Sequence, residues 1–379
     1  MSSPESVVFG AGGLVGRRVA EALVAAGVDV AACGRRAPEV AGVGPARTLV
    51  ADTPDPASLA RAFAGTRVVV NAAGPLRDSA APVLAAAIAA GAHYVDVGGE
   101  QAVLRALYER YESAVRRAGL VALPGAGLDC LLGDLAVAWA AAHLVGGSDG
   151  GDSDGDAAVR AVPAPRLAEA RPLDEVAVTY AFDDLALSAG TQRAWFGAVG
   201  ERALQWRRDR WEPARPGDGR RVNAGPELGG ERAAIAHAGG DAITVPRHVA
   251  AHLVGTYVST TRRENVVSAM RLLARALPLL SRAAAGVLAP YADPDADYAR
   301  TRFAIVAQVR RDFAAVQVVV RGTDPYRTTA LTTAWAARAL AARGAGPVGM
   351  RAPGELFRGA PALRELATAA GLALDPSFA

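Results

Sequence analysis

The sequence predicts an α/β chain with two cores: an N-terminal, doubly wound parallel sheet, then a C-terminal α+β domain with a mixed or antiparallel sheet. Three observations carry that expectation. Short apolar runs alternate with helical stretches over residues 1–125, as strands joined by crossover helices do. The first apolar run breaks into Gly10, Gly12, Gly13 and Gly16 just before an amphipathic stretch begins. Past residue 175 the period-two alternation of Val176, Val178, Tyr180 and Phe182 marks a different kind of sheet, read as a half-buried strand. At 379 residues the chain also exceeds one ordinary core.

Taken in order, Val7–Phe9 reads as the first strand, Arg17–Ala26 as a helix and Val28–Cys33 as the second strand. Arg47–Ala51 is the third strand, Pro56–Ala64 a helix, and Arg67–Ala72 a valine-rich fourth strand bounded by Gly65 and Gly74. An alanine-rich helix over Ser79–Ala90 leads to a fifth strand, Tyr94–Val97. Gln101–Ala118 places Val103, Leu104, Leu107, Tyr111 and Val115 at helical spacing, and Leu120–Leu123 is the sixth strand. Six strands with intervening helices make a nearly complete Rossmann fold. Leu128–Val145 reads as a connecting helix and Gly146–Asp156 as an exposed loop. Ser188–Trp211 reads as helical, with Trp195, Val199 and Trp206 near helical spacing; Ala242–Val245 and Leu253–Ser259 read as strands. Phe303–Val309 and Val316–Arg321 flank a turn as an antiparallel hairpin. Thr328–Ala342 and Ala360–Gly371 are two helices placed to pack back on the first domain. The division is therefore 1–128, 129–325 and 326–379.

Composition narrows the chemistry. All 41 basic residues are arginine. The missing lysine excludes a Schiff base, a Walker lysine and the Tyr-x-x-x-Lys pair of short-chain dehydrogenases. Cys33 and Cys130 are isolated, which points to a reducing compartment; with no basic n-region ahead of an apolar core, the expected location is cytoplasmic. Net charge is only +3, so one arginine–tryptophan patch, Trp206–Trp211, does not make a nucleic-acid surface. His248 and His252 are four apart, but Pro246 precedes them and no acid lies between, so no metal site is expected. Between Asn265 and Pro290, Arg271, Arg275 and Arg282 share one narrow face of a leucine-rich stretch, compatible with membrane contact; Pro278 interrupts it, and core or dimer packing is the default reading.

The glycine run has the geometry for a dinucleotide. Gly10 permits a tight turn out of the strand, Gly12 and Gly13 let backbone N–H groups approach a pyrophosphate, and Gly16 lets the helix approach the sheet. The spacing is G-x-x-G-x-x-G, one residue longer than the usual fingerprint. An acid at the tip of the second strand would select NAD; here the tip carries Arg35 and Arg36, which suit the 2′-phosphate of NADP. Small residues after the fourth strand let a nicotinamide ribose approach the backbone, Asn71 offers side-chain hydrogen bonds, and Asp52 either reaches the adenine edge or caps the following helix. The expected cofactor contacts are Gly10, Ala11, Gly12, Gly13, Leu14, Val15, Gly16, Arg35, Arg36, Asp52, Asn71, Ala72, Ala73, Gly74 and Pro75. Hydride delivery also needs a proton source. Glu100 and Asp129 stand at carboxyl ends of parallel strands, where such sheets bind ligands, and are the catalytic candidates; Cys130, Tyr94 and Tyr326 are alternative donors.

The segments Val-Val-Asn71-Ala-Ala-Gly-Pro75, Tyr94-Val-Asp96-Val-Gly-Gly-Glu100, Pro124-Gly-Ala-Gly-Leu-Asp129 and Gly322-Thr-Asp324-Pro325-Tyr326 together resemble the saccharopine dehydrogenase-like oxidoreductases, in the branch that includes trans-acting enoyl reductases. The resemblance implies an NADP-dependent Rossmann domain, a sheet domain that shapes the substrate cleft and mediates homodimer formation, Asn71–Pro75 beside the nicotinamide ribose, and Glu100 and Asp129 near the interdomain cleft. It implies NADPH-dependent reduction of a C=C (enoyl) or C=N bond in a small or carrier-linked metabolite. The alternative is a non-catalytic NADP-binding sensor or scaffold. Cys130-Leu-Leu-Gly-Asp134 departs from the branch, whose members commonly carry a Val–Pro pair before that aspartate.

Overall fold

The computed structural model describes residues 3–44, 47–146, 164–197, 202–215, 218–260, 297–344 and 346–378. Its first sheet is parallel throughout. Strands β1 (Ser6–Phe9), β2 (Val30–Gly34), β3 (Arg47–Val50), β4 (Val68–Asn71), β5 (His93–Asp96) and β6 (Val121–Leu123) stand in the order β3-β2-β1-β4-β5-β6. β1, β2 and β4 are buried along their whole length, so they read as continuous apolar runs rather than alternating ones. Helices α1 (Leu14–Ala25), α2 (Ala37–Val40), α3 (Pro56–Phe63), α4 (Leu76–Ala89) and α5 (Gln101–Arg117) connect them. Gly16, Val19, Ala20 and Leu23 form the buried stripe of α1. Strand order reverses between β1 and β4, which opens a crevice beyond their carboxyl ends.

The second sheet is mixed. β7 (Glu175–Asp183) pairs parallel with β12 (Leu253–Ser259) and antiparallel with β13 (Arg302–Arg311), which continues as a hairpin into β14 (Ala314–Thr323). β10 (Gly219–Asn223) and β11 (Glu231–Ala236) extend it beyond β12. Helix α6 (Gly133–Gly146) lies across β13 and β14, and the short helix α7 (Ala164–Glu169) precedes β7. A continuous apolar core runs from Val8 of β1 through Leu131, Leu135 and Trp139 to Ile305 of β13. The Leu128–Gly146 stretch is apolar enough to cross a membrane, yet most of it is enclosed in this core.

Four expectations are corrected. Ser188–Trp211 is not one helix: α8 (Ala189–Gly197) is followed by an antiparallel hairpin of β8 (Leu204–Arg207) and β9 (Arg210–Pro213). Arg208 and Asp209, both at positive φ, make its two-residue turn, and Trp206 meets Trp211 across the strands with ring centroids 5.0 Å apart. Ala242–Val245 is not a strand; α9 (Asp241–Thr244) is a short buried helix ending in the Val245–Arg247 turn at Pro246, and a short apolar run does not distinguish the two by periodicity. β7 is buried on both faces, because Ala177, Ala181, Ala304, Val306 and Val319 pack on the side expected to meet solvent. The Leu128–Val145 helix is broken: Asp129 (ψ 97°) and Cys130 (φ 115°) leave helical geometry, and the regular helix begins at Gly133. Residues 147–156, Val199 and the 265–290 stretch lie outside the described residues.

The tail binds the two sheets together. Helix α10 (Pro325–Ala341) packs on α1, β4 and β5, while β15 (Gly349–Met350) adds a parallel strand beside β6. After α11 (Pro353–Leu356), helix α12 (Gly359–Ala370) packs on α6, and β16 (Ala373–Phe378) joins the second sheet against β14.

Candidate functional site

A cleft of about 1710 Å³ follows the carboxyl ends of the parallel strands and is closed on its far side by the second sheet. That exceeds an ordinary small-molecule site of roughly 300–1,000 Å³ and leaves room for a dinucleotide with a substrate. A buried polar net sets the loops that form its floor. Asn71 Nδ2 donates to Ser79 and to Tyr94 Oη, while its Oδ1 accepts from the Ala73 N–H. Tyr94 donates to Asp96, whose other oxygen accepts from the N–H groups of Gly98 (3.0 Å) and Gly125 (2.8 Å). One chain of hydrogen bonds thus fixes the turns after β4, β5 and β6, the three segments that stand out in the sequence. Burial raises the Asp96 carboxyl, while those bonds hold it down. Asn71 is fully buried in this net, so it shapes the Ala72–Pro75 turn instead of offering its amide to a ligand.

Gly10 adopts φ 86°, and a side chain there would meet the backbone of Ala73 at 2.5 Å; a Cβ on Gly16 would lie 2.2 Å from the Gly10 carbonyl oxygen. The strand, the turn after β4 and α1 therefore touch through glycine. Gly12 and Gly13 are exposed to the cleft, and no side chain caps the start of α1, which leaves its first N–H groups for an anion. Ala11 is buried, with its N–H bound to the Cys33 carbonyl; Leu14 and Val15 line the cleft. At the tip of β2, Arg35 is exposed and has no ion pair or side-chain hydrogen bond among the described residues. Arg36 pairs with Glu39, an acid one turn further on that a reading of the strand tip alone misses. Asp52 lines the cleft and accepts from the Thr53 N–H; Asp55, not Asp52, caps α3. Ala72, Ala73, Gly74 and Pro75 line the next stretch.

Comparison with known proteins agrees with this geometry. Residues 6–123 match the family model of the saccharopine dehydrogenase NADP binding domain. The match covers about the first third of the chain and makes that part similar to the NADP binding domain of saccharopine dehydrogenase. A lipid droplet localized protein of Caenorhabditis elegans is 31% identical over 153 residues, 36% of this chain and 36% of that one. A Mycobacterium tuberculosis protein provisionally assigned as a trans-acting enoyl reductase is 33% identical over 141 residues, 35% of this chain and 34% of its own length. The matches therefore span about a third of these relatives. The Saccharomyces cerevisiae saccharopine dehydrogenase (L-Glu forming) superposes with a TM-score of 0.63 at 14% identity, over 99% of this chain and 100% of that one, which establishes a shared fold.

The matched model is that of an NADP binding domain, and the residues present fit NADP: a glycine cradle that a Cβ would fill, an uncapped helix start and, at the tip of β2, a guanidinium with no ion pair among the described residues. Toward the second sheet the two acidic candidates part company. Glu100 Oε1 accepts from the Leu76 N–H at the start of α4, its other oxygen lies 4.0 Å from Arg77, and its backbone bridges to Gly239. It is a fastening between domains. Asp129 opens onto the cleft at the carboxyl end of β6, packed beside Gly99, and the surrounding protein strips enough hydration to raise its pKa to about 6.

Behind Asp129 lies a cluster that sequence reasoning missed. The Cys130 N–H donates to Tyr180 Oη at 2.9 Å, and Tyr180 donates to both Asp241 oxygens at 3.1–3.2 Å. Burial, with Asp134 nearby, raises Asp241 to about 8. Tyr180 and Asp241 also reach the cleft wall, as does His237, whose imidazole burial pushes down to about 4. Tyr326 holds the cleft's rim, accepting from the Ser188 N–H at 2.7 Å. His248 is fully buried, 2.9 Å from Asp134, and no metal-ligating cluster occurs among the described residues.

Proposed function

We propose that this protein is an NADPH-dependent reductase of a polarised C=C or C=N bond in a small or carrier-linked metabolite, with Asp129 as the proton donor. The observation that carries the reading is the position of Asp129: a carboxyl facing the cleft where the NADP-binding loops meet the second sheet. When bound, NADPH supplies the hydride. The Gly10–Val15 loop and Arg35 hold its phosphates, and the Ala72–Pro75 turn presents a surface of small residues to its nicotinamide end. Asp129, half protonated near pH 6, gives its proton to the carbon or nitrogen that becomes negative on reduction, and regains one from solvent through the cleft. Glu100 keeps the start of α4 and the loop at Gly239 in place. We further propose a cytoplasmic homodimer.

The test is oxidation of NADPH, followed at its nicotinamide absorbance, over a panel of enoyl thioesters and cyclic imines. Turnover with NADPH and much weaker turnover with NADH are expected. Tight NADPH binding with no turnover across the panel would instead support a cofactor-sensing scaffold.

A further inference from the structure

Cys130 holds a backbone conformation that an L-residue with a side chain rarely adopts, φ 115° and ψ −55°. It directly follows Asp129, so whatever keeps Cys130 there also aims the Asp129 carboxyl. The turn's own sequence supplies no reason for it, since the position is not glycine. The restraint comes from the other domain. Cys130 N–H is bound by Tyr180 of β7, 50 residues away, and Tyr180 is held by Asp241, a further 61 residues on. The Cys130 thiol sits 3.4 Å from Thr244 Oγ1, one turn after Asp241, and Thr256 of β12 backs the same carboxyl at 3.5 Å. Glycine at 125, 133 and 240 makes room: a Cβ there would lie 3.1 Å from the Cys130 sulfur, 2.6 Å from Asp241, and 3.3 Å from the Cys130 sulfur, respectively.

We infer that Tyr180 and Asp241 form an interdomain latch that positions Asp129, by locking Cys130 in its left-handed turn. The latch rests on Asp129 being the proton donor of the proposed reaction, but its geometry does not depend on the substrate. Tyr180 and Asp241 are positioning residues, and they tie the acid's exposure to correct docking of the two sheets. The titratable groups that face the turn are Asp96 from β5, Tyr108 from α5, Asp134 at the start of α6 with its partner His248, Tyr180 and Asp241 from the second domain, and His237 on the cleft wall. Around pH 6, Asp241 is in its neutral form, so replacing it with an amide changes no charge there.

The experiment is a pH titration of full-length protein labelled with 13C at aspartate carboxyls, with the Asp129 resonance identified by its loss in Asp129→Asn. In the intact protein it should titrate near 6. Tyr180→Phe keeps the ring and removes the acceptor of the Cys130 N–H. The turn then relaxes toward solvent, and the Asp129 midpoint should fall by about one unit or more, toward the ordinary value of roughly 3.9. Asp241→Ala, which strands the Tyr180 hydroxyl, should give the same fall. Asp241→Asn, which still accepts from Tyr180, should leave the midpoint where it was. An unchanged midpoint in either Tyr180→Phe or Asp241→Ala would overturn the latch. Loss of turnover in Asp129→Asn is read separately, so the latch and the proton-donor role can fail independently.

Discussion

At the scale of single residues, the site divides charges into those already engaged and those left open. Arg36 has Glu39, Glu100 has Leu76 and Arg77, and Asp96 has two backbone N–H groups and Tyr94. Arg35 and Asp129 remain turned to the cleft. Charge-assisted hydrogen bonds contribute about 1.5–3 kcal/mol, so Arg35→Ala should weaken NADPH binding by roughly 10- to 100-fold and leave NADH almost unchanged, measured by nicotinamide fluorescence titration. Equal losses for both nucleotides would remove Arg35 from the 2′-phosphate. Asp241 makes a second prediction. Its folded pKa, about 8, lies above the unfolded value, so the native state holds a proton that the unfolded chain has lost, and stability falls as pH rises. Asp129 acts the same way only up to about pH 6, and His237, depressed to about 4, acts oppositely only up to its ordinary value of 6.5. Asp96, also raised by burial, acts in the same sense as Asp241, so between pH 6.5 and 8 the Asp241 share of the slope is the difference between wild type and Asp241→Asn. Denaturant unfolding should show that share as a fall of about 1.4 kcal/mol per pH unit, and Asp241→Asn should flatten the slope by as much. The positions of the arginine tip and of the two cleft acids were legible in the sequence because each lies in the loop that leaves a parallel strand at its carboxyl end. The Tyr180–Asp241–Cys130 cluster was not, since its members come from three elements and only folding brings them together.

At the scale of elements, the legible parts were those with strong local signals: the six Rossmann strands, the β13–β14 hairpin and the helices whose apolar residues recur at 3.6 spacing. The β8–β9 hairpin was hidden because Trp195, Val199 and Trp206 recur near helical spacing, whereas Trp206 in fact pairs with Trp211 across a two-residue turn. The break at Asp129–Cys130 was hidden inside an unbroken apolar run. The contact of α1 with β1 and the turn after β4 is the most exacting in the first domain. Gly16→Ala places a methyl 2.2 Å from the Gly10 carbonyl oxygen, so α1 must shift outward. Overpacking of this kind costs about 1–3 kcal/mol, and the displaced helix start should weaken NADPH binding at least tenfold. Unaltered affinity in a folded Gly16→Ala variant would mean that the phosphates do not sit at this helix terminus.

At the scale of the whole molecule, the tail makes the two sheets interdependent, because β15 completes one and β16 extends the other. The apolar core is continuous between them. Thermal unfolding should therefore be a single transition, and NADPH at 100 times its Kd should stabilise the entire chain by about 2.7 kcal/mol. Two transitions, with NADPH moving only the first, would show that the domains unfold separately. The cofactor half of this account follows from the N-terminal motif; the chemistry depends on where the second sheet places its residues around Asp129. The most direct measurement is steady-state reduction by wild type and Asp129→Asn, using a substrate from the enoyl and imine panel, with NADPH affinity determined in parallel. The account predicts unchanged NADPH affinity and a kcat lower by roughly 10²- to 10⁴-fold, the usual contribution of a positioned acid. Wild-type kcat in Asp129→Asn would contradict it.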